Sequence, residues 1–160
     1  MKFMIWKKIE IGIIKNTRLL LEQLLASGCK IGSRANDILF KILFTELAEE
    51  LRLVVVSVDA LGFKNGANYQ DICAKAKSFN LGLCPAELGP LLRSQYLDQP
   101  KGESLYVAME PIIDSSGRPR IFWLVLDGDA PWLNGRGGLT DFIWPPERCF
   151  IFYLLNAQIK

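Results

Sequence analysis

The side chains with the greatest chemical reach in this chain fall between Leu81 and Ile112, in the run LGLCPAELGPLLRSQYLDQPKGESLYVAMEPI. Cys84, Glu87, Arg93, Tyr96, Asp98, Gln99 and Glu103 follow one another there at short intervals. Paired carboxylates act as general acid and base when their surroundings push their pKa values apart, so Glu87, Asp98 and Glu103 are candidates for that work. Arg93 beside Tyr96 could instead grip an anionic group, because a guanidinium forks onto carboxylates and phosphates. The same residues admit a structural use, in which Arg93 and a carboxylate pin a loop against a helix.

The chain contains no histidine, which removes Ser-His-Asp triads, Cys-His dyads and histidine-ligated metals together. Cys84 sits before Pro85 at the start of a turn where nearby N–H groups would favour a thiolate, but no histidine is present to act as its base. The four cysteines, Cys29, Cys73, Cys84 and Cys149, have no CxxC spacing, so no metal site is expected. Cys73 reads as a core thiol. Disulfides are open on an even count, though a domain of this size does not need them. Arg136 among glycines in GRGG could be an anion-binding tip, yet it lacks the lysine and the strand–helix setting of a P-loop. The DGD triplet at 127–129 has too few oxygen ligands for an EF-hand. No cofactor is expected.

With 160 residues, half of them apolar and a net charge of +2, the chain has the composition of one globular domain over residues 1–160 rather than of a disordered segment. That charge is too small to argue for nucleic acid or an anionic membrane. A basic patch could still assemble from Arg118, Arg120, Arg136 and Arg148, which the sequence alone does not bring together. The opening MKFMIWKKIEIGI lacks the apolar core and small-residue cleavage site of a secretory signal. The longest apolar runs fall far short of the roughly 18–20 residues of a membrane span. The expected setting is cytoplasmic and reduced.

Several elements must position the polar run. Phe3–Ile13 alternates as a strand, and Asn16 or Thr17 caps a helix whose leucine stripe is Leu20, Leu21, Leu24 and Leu25, closed by Gly28. A short helix is expected over Ser33–Phe40, and LRLVVVSV at Leu51–Val58 reads as a strand covered on both faces. Asn68 caps a second long helix with Tyr69, Ile72, Cys73, Ala76 and Phe79 on one face. A helix starting with Pro90 as its first residue, a loop at Asp98–Gly102 and a strand at Leu105–Ile112 follow. Asp114–Pro119 is the connection of a hairpin whose return strand is Arg120–Leu126. A short strand at Ala130–Asn134, a mobile glycine loop at Gly135–Asp141 and a closing strand at Arg148–Leu155 complete the chain.

The pattern CPAE-x-GP-x-LR-x-x-Y-x-DQP-x-GE-x-L followed by AMEPI, carried by Cys84–Glu87, Gly89, Pro90, Leu92, Arg93, Tyr96, Asp98–Pro100, Gly102, Glu103, Leu105 and Ala108–Ile112, resembles a family of uncharacterised bacterial proteins from uncultured small-genome bacteria. The resemblance extends upstream through VVVSVDALGFKNGANYQDI and GCKIGSRANDIL to the opening strand. Ser94 and Ser104 depart from it, standing where a leucine and a tryptophan are expected. The resemblance implies one domain and no known activity.

The expected fold is α+β, a mainly antiparallel sheet of about five or six strands with two or three helices on one face. The expected function is a binding or interaction protein with a polar surface on Glu87, Arg93, Tyr96, Asp98, Gln99 and Glu103. The alternative is a histidine-free, hydrolase-like enzyme using Glu87, Asp98 or Glu103. Nucleic acid is disfavoured as a partner and no membrane is expected. The aromatic excess of the last third, from Phe122 to Tyr153, predicts a partly exposed apolar patch, with a homodimer as one way to cover it.

Overall fold

The computed structural model describes residues 2–155. Among them, the chain runs β1 (Lys7–Ile11), α1 (Thr17–Ala26), β2 (Lys30–Ile31), α2 (Ser33–Leu39), β3 (Glu49–Ser57), α3 (Tyr69–Ser78) and β4 (Leu81–Gly82). It continues through α4 (Leu88–Gln95), β5 (Ser104–Val107), β6 (Ile112–Ile113), β7 (Pro119–Asp127), β8 (Ala130–Arg136) and β9 (Cys149–Leu154).

The helix ends form where the side chains demand it. Asn16 Oδ1 accepts from Leu19 N at 2.9 Å and Asn68 Oδ1 from Asp71 N at 2.8 Å, each satisfying a donor that the first helical turn leaves open. In α1 the stripe narrows to Leu20 and Leu24, while Leu25 is exposed. α4 begins at Leu88, not at Pro90, so the proline is its third residue. The position is still harmless, because the first four helical N–H groups have no intrahelical acceptor to lose.

The sheet order is β1-β3-β9-β5-β7-β8-β2, with β4 on β9 and β6 on β7. The expectation of a mainly antiparallel sheet of five or six strands with helices on one face is incorrect: nine strands and four α-helices make a mixed, curled sheet among the described residues. β9 does not close an edge. It inserts between β3, to which it is antiparallel, and β5, to which it is parallel. β2 likewise runs parallel to β8. The expected strand at Leu105–Ile112 splits into β5 and β6, and the expected Ala130–Asn134 strand continues to Arg136, taking Gly135 and Arg136 out of the glycine loop.

The curl follows from what α4 touches. It contacts β1 at one end of the sheet order and β7 and β8 toward the other, and eight residues of helix span only about 12 Å. The sheet therefore wraps α4. Gly89 makes this approach possible, since a Cβ there would lie 2.8 Å from Phe122. The opposite face carries Trp123, Tyr106 and Phe150 in adjacent register on β7, β5 and β9. α3 covers that face, with Tyr69 5.8 Å from Phe150 between ring centres. Helices thus pack on both faces. Trp144, Phe122, Phe150 and Phe152 are fully buried, so half of the eight aromatics from Phe122 to Tyr153 enter the core. The most exposed large apolar side chains are Met4, Leu43 and Leu47, and Phe142 and Ile143 of the last third are exposed as well. No described helix is long and apolar enough to cross a membrane.

Candidate functional site

The polar run from Glu87 to Glu103 is drawn into the fold as a frame. Arg93, on α4, is fully buried. Its Nη1 donates to Gln99 Oε1 at 2.7 Å and to the carbonyls of Val125 and Trp132 at 3.4 and 3.3 Å, and its Nη2 donates to the Tyr96 carbonyl. Gln99 Nε2 donates to the carbonyls of Glu103 and Leu124, both at 3.1 Å. Tyr96 donates its hydroxyl to Glu103 Oε1 at 2.7 Å. Val125 and Trp132 are register partners across the β7–β8 hairpin, so one guanidinium ties that hairpin to the end of α4. Burial lowers the Arg93 pKa, and burial together with the Glu103 hydrogen bond raises that of Tyr96.

The carboxylates are not gathered as an acid/base pair. Glu87 is fully buried and accepts from Gly12 N at 3.1 Å through Oε2 and from Thr45 N at 2.6 Å through Oε1. It fastens the turn after β1 and the segment before β3 to the start of α4. Asp98 is exposed, and Glu103 is half-buried on Tyr96. Cys84 is buried with its Sγ donating to the Ile151 carbonyl at 3.6 Å, and burial pushes its thiol far above the ordinary range. Among the described residues no three His, Cys, Asp or Glu side chains are grouped to hold a metal ion.

Positive charge collects in a cleft that sequence spacing only half indicated. Arg118, Arg120 and Arg136 line a depression of about 290 Å³ together with Arg34, Trp123 and the Gly137–Gly138 backbone. Arg148 is elsewhere, donating to the Tyr106 hydroxyl at 2.6 Å. Of the four cleft arginines, Arg120 alone is neutralised by a side chain of the described residues. Its Nε donates to Asp114 Oδ2 at 2.8 Å, and both side chains are nearly inaccessible. Asp114 Oδ1 accepts from Ser116 Oγ, Ser116 N and Arg118 N at 2.6, 2.8 and 3.0 Å. These bonds, led by the Ser116 hydroxyl and then Arg120, hold the Asp114 carboxyl far below its ordinary range.

Arg34, Arg118 and Arg136 make no ion pair among the described residues. Arg136 is held by aromatic rings: its guanidinium carbon lies 5.1 Å from the centre of Phe142 and 5.0 Å from that of Trp144. Its Nε is buried without an acceptor among the described residues. Two glycines open the space. A Cβ at Gly135 would lie 3.0 Å from the Arg34 carbonyl carbon, so glycine lets the start of α2 lie against β8; one at Gly137 would lie 2.8 Å from Arg120 Nη1. A second depression of about 270 Å³ adjoins the first, sharing Arg34, Trp123 and Gly135 and adding Gly32, Ser33 and Asn134.

The GRGG motif signalled Arg136 in sequence. Arg34 carried no such signal, because only the parallel pairing of β2 with β8 brings it there. The fold and site together define an α+β protein with an arginine-lined cleft on the flank of a curled sheet. No family model, no curated protein and no solved structure matches the chain.

Proposed function

We propose that this chain is a binding protein that captures a small anionic ligand in the cleft between the start of α2, the β6–β7 hairpin and the Gly137–Gly138 loop. The observation that carries this reading is that Arg34, Arg118 and Arg136 line one cleft without a carboxylate partner among the described residues. Like charges brought together repel, and the buried Arg136 Nε lacks an acceptor among the described residues, so an anion is the natural complement to the arrangement. Guanidinium groups suit phosphate and carboxylate oxygens in particular. In this reading the Arg93–Glu103 run is the frame of the site and not its surface. It fixes the β7–β8 hairpin, and that hairpin carries Trp123, Asn134 and Arg136. Four free thiols accord with a reduced, cytoplasmic setting.

The test is calorimetric titration of the full chain with inorganic pyrophosphate at low and high salt. Binding that weakens with salt and is lost in the Arg34→Ala/Arg118→Ala double variant is expected. Both side chains are exposed, so the variant should retain its melting temperature. An absence of binding at millimolar pyrophosphate, or binding unchanged in the double variant, would overturn the reading.

A further inference from the structure

Resting on that anion site, we infer that the ligand is a mononucleotide, with its phosphate among the arginines and its base against Trp123. The two depressions meet at Trp123 and differ in chemistry. One is lined by four arginines; the other shares only Arg34 of these and adds Ser33, Asn134 and the Gly32 backbone. Their volumes, about 290 and about 270 Å³, each sit near the lower bound of small-ligand pockets. Joined, they give a cleft with its arginines concentrated on one side and uncharged polar groups added on the other.

Trp123 is the ring such a ligand needs. It is half-buried, and its indole N–H donates to Ser104 Oγ at 3.0 Å, which fixes the ring. Tyr106 stacks behind it at 5.6 Å between centres and 12° between planes. Tyr106 belongs to β5, on one side of Trp123, while Asn134 is its register partner on β8, on the other. The ring face away from Tyr106 is therefore turned toward the strand that lines both depressions. A flat aromatic group entering there extends an existing stack of two rings, an interaction that every nucleobase supports. The Asn134 amide makes no hydrogen bond among the described residues and carries one acceptor and two donors, the complement of a base edge.

Neither feature alone selects a nucleotide. Arginines would take any anion, and a tryptophan any ring. Their meeting on Trp123 selects a ring that bears a phosphate. A phosphate-bearing base occurs both as a free nucleotide and within an unpaired strand. The cleft favours the free form, since the chain as a whole carries a net charge of only +2 and a strand needs a charged track extending beyond one unit.

The experiment compares the full chain's affinity for the four nucleoside monophosphates, for ribose 5-phosphate, for inorganic pyrophosphate and for an eight-nucleotide single strand. At least one monophosphate is expected to bind about tenfold or more tighter than ribose 5-phosphate, the scale of a single base stack. In Trp123→Leu, checked for folding by its melting transition, that preference should vanish, so that the monophosphates and ribose 5-phosphate bind alike. Asn134→Ala provides a second variant that leaves the stack intact, and should weaken the favoured monophosphate relative to ribose 5-phosphate. Pyrophosphate binding with no preference for any monophosphate over ribose 5-phosphate would overturn the nucleotide inference and leave the anion site standing. Binding of none of these compounds would overturn both. A strand that binds more tightly per site than every monophosphate would overturn the assignment to a free nucleotide.

Discussion

Arg93 Nη1 and Gln99 Oε1 lie 2.7 Å apart with both side chains buried. Between them they satisfy carbonyls on three elements: Val125 and Leu124 on β7, Trp132 on β8 and Tyr96 at the end of α4. Arg93→Ala removes the donor from all of its acceptors at once, and each buried carbonyl left open is worth about 1–3 kcal/mol. A loss of about 3–5 kcal/mol is expected, comparable to breaking a buried charged pair. Urea unfolding checks it. Asp98→Ala is the control: its side chain is exposed and makes no hydrogen bond or ion pair among the described residues, so it should stay within about 0.5 kcal/mol of the wild type. Wild-type stability in Arg93→Ala would remove the frame role assigned to the polar run.

The hairpin that presents Arg118 and Arg120 should loosen in acid. Asp114 has its carboxyl held below the ordinary range by Ser116, Arg120 and Arg118, and Asp37 is lowered by hydrogen bonds from Ser115 of the same turn. A carboxyl whose pKa is depressed in the folded state contributes stability that is fully present above its unfolded value of about 3.9 and is lost as pH falls through the folded value. The stability gap between wild type and Asp114→Asn is therefore expected to be constant at neutral pH and to shrink below about pH 4. Melting curves across that range test it. A gap that widens toward low pH would contradict the assignment.

Much of the local structure was legible because it depends on neighbours in sequence. Asn16 and Asn68 announce their helices, and Asp114–Pro119 announces its hairpin, since caps and turns involve only a few residues. The two-residue strands β2 and β4 were invisible, being too short for any periodicity to register. The parallel pairing of β9 with β5 was hidden for another reason. An apolar run such as CFIFYL shows that a strand is covered on both faces, but not which neighbours it has or in which direction they run. The candidate site divides along the same line. Glu87, Arg93, Tyr96, Gln99 and Glu103 stand out in sequence as one polar run, but residue types alone do not distinguish a frame from a binding surface. The Arg34–Arg136 juxtaposition requires β2 to lie beside β8 and had no local signature.

All four cysteines should be slow to label. Burial raises each thiol, Cys73 to about 11, and Cys84 is the most strongly affected. The thiolate is the nucleophile, so at pH 7.5 little of it is present at any of the four positions. Labelling with a chromogenic disulfide reagent is expected to be slow in native buffer and to reach four thiols rapidly in denaturant. Cys73 and Cys149, which are half-buried, should react before Cys29 and Cys84. A native cysteine reacting as fast as a free thiol would reopen a role in catalysis.

Arg136 gives the sharpest separation of stability from binding. Stacking on Phe142 and Trp144 is worth about 0.5–2 kcal/mol, but among the described residues the guanidinium's buried Nε has no acceptor and its charge no partner. Those contributions oppose each other. Arg136→Met keeps an unbranched apolar stem between the rings and removes the uncompensated charge, so its unfolding free energy should lie within about 1 kcal/mol of wild type. Pyrophosphate should then raise the melting temperature of the wild-type chain but not of the variant, because a ligand stabilises only the state it binds. A variant that melts far below wild type would show that Arg136 is held for packing alone. A variant that is still raised by pyrophosphate would move the anion to Arg34 and Arg118.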